Sequence, residues 1–130
     1  MNTKTSVLVV DDSRLIRVAA RRILGSQYEV HEAEDGEAAW QLLESNASIE
    51  LVMSDLSMPN LDGLGLLARI RHSQESRIKS LPVVIASGAE DNDGSKEAAL
   101  AQGASNFITK PFDAHHLLAN IAALISQRHT

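Results

Sequence analysis

Five short apolar runs rich in β-branched residues recur along the chain, at Val7 to Val10, Glu29 to Ala33, Leu51 to Ser54, Pro82 to Ala86 and Asn106 to Thr109. Runs of this length and composition predict strands. The first, third and fourth are nearly unbroken in Val, Leu, Ile and Met, as in strands covered on both faces of a parallel sheet. Between the runs the apolar period becomes that of a helix. Ile16, Ala20, Ile23 and Leu24 share one face of a segment that Asp12 or Ser13 caps, with Arg14, Arg17, Arg21 and Arg22 on its wet side. Asp35-Gly36 opens a second helix carrying Ala39, Leu42 and Leu43, and Asp62-Gly63 opens a third carrying Leu66, Leu67 and Ile70. A fourth, about Gly94 to Gln102, is mostly alanine and buries little, so it is expected to be the loosest. A fifth, near the C-terminus, shows Leu117, Ile121, Leu124 and Ile125 at helical spacing.

Strands alternating with helices in this way predict an α/β fold: a doubly wound, five-stranded parallel sheet with five helices and right-handed crossovers. The 130 residues contain no internal repeat, low-complexity tract or linker, so one domain over residues 1–130 is expected. In such sheets ligands bind beyond the carboxyl ends of the strands.

Composition narrows the function classes. Twelve Lys or Arg against 17 Asp or Glu give a formal charge of −5, and the only aromatics are Tyr28, Trp40, Phe107 and Phe112. Direct nucleic-acid binding is excluded on both counts, because phosphate backbones need basic patches and single-stranded bases need stacking platforms. The absence of cysteine removes disulfides, thiolate metal sites and cysteine nucleophiles. No apolar run approaches the ~20 residues of a membrane span, and the first residues lack a signal-peptide core, so the chain reads as cytoplasmic without membrane contact.

Chemistry gathers where the strands end. Asp11-Asp12 follows the first strand, Asp55 the third, Ser87-Gly88 the fourth and Lys110-Pro111 the fifth. Carboxylates about 4 Å apart repel by about 4 kcal/mol at an effective dielectric of about 20, so three of them need more than Lys110 as a counterion. A small hard cation such as Mg²⁺ meets that need and also accepts a phosphoryl oxygen. Asp55 then suits an oxygen nucleophile forming an acyl phosphate, with the cation and Lys110 neutralising charge on the transferring group and Ser87 donating to a phosphoryl oxygen.

These residues resemble the receiver domains of two-component response regulators, in particular the single-domain chemotaxis type. The resemblance runs from Val7 to about Ile125. It rests on Val9-Val10-Asp11-Asp12-Ser13, on Asp55-Leu56-Ser57-Met58-Pro59-Asn60-Leu61-Asp62-Gly63, on Ser87-Gly88, and on Phe107-Ile108-Thr109-Lys110-Pro111-Phe112. It implies a flavodoxin-like sheet of order 2-1-3-4-5, Asp55 as phosphoacceptor, and Mg²⁺ held by Asp11, Asp12, Asp55 and the Ser57 carbonyl. It implies Ser87 and Phe107 as switch residues and a cis Lys110-Pro111 bond. Expected partners are a sensor histidine kinase or histidine phosphotransfer protein, a downstream output domain or protein, and a second copy on phosphorylation. The chain is expected to be no enzyme beyond handling its own phosphoryl group, and to serve either as a stand-alone relay or as the front piece of a longer regulator. Ser87 stands where Thr is commoner and Phe107 where Tyr is frequent, while Gly88 and Ala89 leave the lip of the site open and uncharged.

Other readings fare worse. Asp11-Asp12 can serve a helix N-terminus alone, and a flavin binder shares the layout, yet Asp11-Asp12 repels a cofactor phosphate and no G-x-G-x-x-G follows the first strand. A phosphoester hydrolase of the aspartyl-phosphate kind needs its nucleophile on the first strand. Asp35-Gly36 and Asp62-Gly63 read as turns or caps, and His31, His72, His115, His116 and His129 as surface or boundary residues.

Overall fold

A computed structural model describes residues 4–88 and 94–129. Ala89, assigned to the lip of the site from sequence, lies outside the described residues. The described elements run β1 (Thr5–Val10), α1 (Arg14–Leu24), β2 (Tyr28–Ala33), α2 (Gly36–Ser45), β3 (Ile49–Asp55), α3 (Gly63–Arg71), α4 (Ser76–Lys79), β4 (Val83–Ser87), α5 (Ser95–Ala101), β5 (Asn106–Thr109) and α6 (Ala114–Arg128). The strands form one parallel sheet in the order β2-β1-β3-β4-β5. All five expected strands form, in the order that the family resemblance implies.

Strand alternation sorts the side chains into two cores. Leu8, Val10, Val52, Val83 and Ile85 meet Ala39 and Leu43 of α2, Leu66, Leu67 and Ile70 of α3, and Ala99 of α5 on one face. Val7, Val9, Leu51, Met53, Val84, Ala86 and Ile108 meet Ala20 and Leu24 of α1 and Leu117 and Ile121 of α6 on the other. Burying each such Leu, Ile or Val fully contributes about 1.5–3 kcal/mol, which fixes the sheet as the rigid base for the loops at its carboxyl edge.

The helix count differs from the sequence reading: the described residues form six helices, not five. The additional α4 is a single turn whose one buried residue is Ile78, too short to show a period. Arginines hold it in place. Arg71 donates to the Lys79 and Leu81 carbonyls at 2.9 and 2.7 Å, and Arg77 donates to the Leu43 carbonyl at 2.9 Å. The alanine-rich helix is α5, and only Ala99 of it is buried.

Candidate functional site

The carboxyl edge gathers its acids because two neighbouring strands, β1 and β3, end level with each other, with Val10 opposite Ser54. Asp11 follows β1 directly and Asp55 is the last residue of β3, and both are buried. Asp12 is exposed. One carboxylate oxygen from each of Asp11, Asp12 and Asp55 lies within 4.8 Å of the others. Lys110, just past β5, reaches back to this group, with Nζ 2.9 Å from Asp11 Oδ2 and 2.9 Å from Asp55 Oδ1. The Lys110–Pro111 peptide bond is cis.

Each acid is also held by backbone. Ser13 N–H donates to Asp11 Oδ1 at 2.9 Å, and Leu56 N–H donates to Asp55 Oδ1 at 2.8 Å. Ser13, not Asp12, caps α1, its side chain accepting from Ile16 N–H, which leaves Asp12 to the pocket. Gly63 is required beneath the site, because a Cβ there would sit 2.2 Å from the Asp55 carbonyl oxygen.

Charge is unbalanced. Three carboxylates against one ammonium, 1 minus 3, leave a formal charge of −2 in the cluster. Burial lifts the Asp55 carboxyl above the ordinary aspartate value; the Lys110 hydrogen bond opposes this and the Asp11 charge adds to it. For Lys110, burial pulls the ammonium down, but hydrogen bonds to Asp11 and Asp55 outweigh it and hold the group above the ordinary lysine value. The donors are all hard oxygens, and their excess charge is that of one divalent cation with the opposite sign. The pocket therefore fits Mg²⁺, and among the described residues its metal-ligating set includes neither the nitrogen nor the sulfur ligands that softer metals favour.

The other expected residues take separate places. Ser87 is buried at the end of β4, in register with Thr109, and its carbonyl accepts from Lys110 N–H at 2.8 Å. Ser57 is exposed in the loop after β3. Phe107 of β5 is half-buried against the core shared by α2, α3 and α5, opposite Ile85.

A model of the response regulator receiver domain family matches residues 7–122. The chain is a response regulator receiver domain. The receiver is 35% identical over 108 residues to chemotaxis protein CheY1 of Helicobacter pylori, covering 82% of this chain and 85% of that one. It is 34% identical over 119 residues to protein RcaC of Microchaete diplosiphon, covering 92% of this chain but only 17% of RcaC. Against response regulator MprA of a Mycobacterium species it is 36% identical over 120 residues and spans 50% of that relative. Among solved structures, the chemotaxis response regulator CheY4 of Vibrio cholerae superposes with a TM-score of 0.80 at 30% identity, covering 94% of this chain and 99% of that one. A two-component system response regulator/GGDEF domain protein gives a TM-score of 0.88 at 30% identity, covering 98% of the receiver and 51% of that chain.

Sequence reasoning missed some of the scaffolding. Arg17, assigned to the wet side of α1, is half-buried; it donates to the Asp11 carbonyl at 2.7 Å and pairs with Glu32 at 3.0 Å. Asn60 donates to Asp35 at 2.7 Å and adopts φ of 67°, a region Asn tolerates. The Pro59-Asn60 pair was the signal available for that turn. His31 is a boundary residue whose Nε2 is buried without a hydrogen-bond partner, while His129 pairs with Glu50 at 2.6 Å. No helix among the described residues is long and apolar enough to cross a membrane.

Proposed function

We propose that Asp55 accepts a phosphoryl group from the phosphohistidine of a sensor histidine kinase or a histidine phosphotransfer protein, and that this shifts the domain toward an active conformation. The P–N bond of the donor breaks, a P–O bond to Asp55 forms, and the histidine leaves as neutral imidazole after taking a proton. Lys110 and the Leu56 N–H both engage Oδ1, which leaves Oδ2 as the attacking oxygen. Asp11, Asp12, Asp55 and the Ser57 carbonyl are the groups that would hold Mg²⁺, and the ion, when bound, neutralises charge on the phosphoryl oxygens. Attack by water on phosphorus later restores the carboxylate, so the domain turns over no substrate but its own acyl phosphate. The observation that carries this reading is the cluster of buried Asp11 and Asp55 with half-buried Lys110, and Asp12 beside it, at the strand ends.

The conformational response is partial by energy. Charge-assisted hydrogen bonds from Ser87 and Lys110 to the new group contribute about 1.5 to 3 kcal/mol each, against ~5.5 kcal/mol for a swing from about 1:99 to 99:1. Lys110 already bonds both acids at rest, so it exchanges partners and its net gain is smaller. Ser87 and Phe107 direct the change to the face made by β4, α5, β5 and α6. That face serves an output domain or protein, or a second copy, in the cytoplasm. RcaC and MprA, which extend well beyond the segment matching this chain, support an attached output.

The test is a two-dimensional amide spectrum with and without beryllofluoride and Mg²⁺. Shifts at Ser87, Phe107 and along α5 and α6 are expected; shifts confined to residues around Asp55 refute the coupling.

A further inference from the structure

We propose that Asn60 and Asp35 form a positioning latch that holds the loop from Leu56 to Leu61 in the shape that binds the cation. This inference rests on the proposed role of the Ser57 carbonyl in that loop. After β3 Leu56, Met58 and Leu61 pack against the core, while Ser57, Pro59 and Asn60 between them are exposed. The polar moorings of its far end lie on a different element, the N-terminus of α2. Asn60 Nδ2 donates to Asp35 Oδ2 at 2.7 Å, and one residue on, Gly36 N–H donates to the Leu61 carbonyl at 2.9 Å. Leu61 lies so close to Gly36 that a Cβ there would stand 2.5 Å from its carbonyl oxygen.

Asp35 does two jobs with two oxygens. Oδ1 accepts from Ala38 N–H at 2.8 Å and caps α2, while Oδ2 takes Asn60. The two roles can therefore be separated. Serine caps a helix as well as aspartate does, but it carries no counterpart of Oδ2, the oxygen that accepts from Asn60. At the other end, glycine adopts the positive φ of Asn60 without strain and removes the amide, at the cost of some added backbone freedom that the double variant controls for.

A latched loop is preorganised. Without the latch the loop spends part of its time with the Ser57 carbonyl turned away, and apparent affinity falls by the fraction of competent chains. A hydrogen bond of ordinary strength translates into a roughly three- to ten-fold weakening of Mg²⁺ binding.

The experiment is calorimetric titration of Mg²⁺ into the full chain for wild type, Asn60→Gly, Asp35→Ser and the double variant, with thermal unfolding of each to verify folding. The latch predicts that both single variants weaken Mg²⁺ binding by a similar factor and that the double variant is no weaker than either single. Wild-type affinity in either folded single variant overturns the latch, as does a double variant in which the two losses multiply. Failure of wild type to bind Mg²⁺ instead overturns the cation site, and the latch with it.

Discussion

Lys110→Met keeps most of the side-chain stem and deletes the charge. In the folded chain the ammonium sits 2.9 Å from each of two carboxylates, and the side chains of Lys110, Asp11 and Asp55 are 14%, 3% and 10% exposed. Its removal leaves acids whose oxygens lie within 4.8 Å of each other to repel without relief. At an effective dielectric of about 20 that repulsion is about 3.5 kcal/mol, in the range of about 3–5 kcal/mol lost when one partner of a buried ion pair is removed. The expected loss in metal-free buffer at neutral pH is therefore about 3 kcal/mol, which lowers Tm by about 10 °C in a domain of this size. Neutral pH is the right condition. The raised Lys110 pKa means its contribution is fully present below the ordinary lysine value and is lost only as pH rises through the higher folded value. Mg²⁺ should then rescue the variant by more degrees than it stabilises wild type, since it supplies the missing positive charge. Thermal unfolding followed by circular dichroism, in EDTA and in excess Mg²⁺, measures both. A variant as stable as wild type without metal, or an equal Mg²⁺ increment in the two proteins, would refute the charge-balance reasoning.

Other consequences follow from the packing beneath and beside the site. Gly63→Ala places a Cβ against the Asp55 carbonyl and should cost about 1–3 kcal/mol in urea unfolding while also weakening Mg²⁺ binding; an unchanged midpoint would show that the loop yields freely. Glu32 is held below the usual glutamate range chiefly by its hydrogen bond to Arg21, with Arg17 adding to it. Its contribution is therefore present above the unfolded pKa and lost as pH falls through the folded value. Glu32→Gln should cost up to about 1 kcal/mol at neutral pH and lose less stability than wild type on acidification, as read from urea midpoints across the acid range; parallel pH profiles would contradict the pairing.

The sheet was legible because its signal is redundant. The unbroken Val, Leu and Ile runs of β1, β3 and β4 are filled from both faces, so burial enforces what composition suggests. Asp11, Asp55 and Ser87 were readable as site candidates for the same reason, each standing at the end of such a run. The helix α4 was hidden because it buries only Ile78 and owes its place to Arg71 of α3 and to its own Arg77, which reaches the distant Leu43 carbonyl. Arg17 looked like a solvated stripe residue because charge type says nothing of which carbonyl a guanidinium will find, and its reach to Asp11 is a tertiary fact. Asp35 was read correctly as a cap, yet its second oxygen and Asn60 are 25 residues apart, beyond any local pattern.

Phosphorylation of Asp55 is most directly tested by intact mass after incubation with acetyl phosphate and Mg²⁺, comparing wild type with Asp55→Asn. Wild type should gain the mass of one phosphoryl group, lose it on standing, and gain nothing in EDTA, while Asp55→Asn gains nothing in either buffer. No addition to wild type, or equal addition to both proteins, would contradict the account.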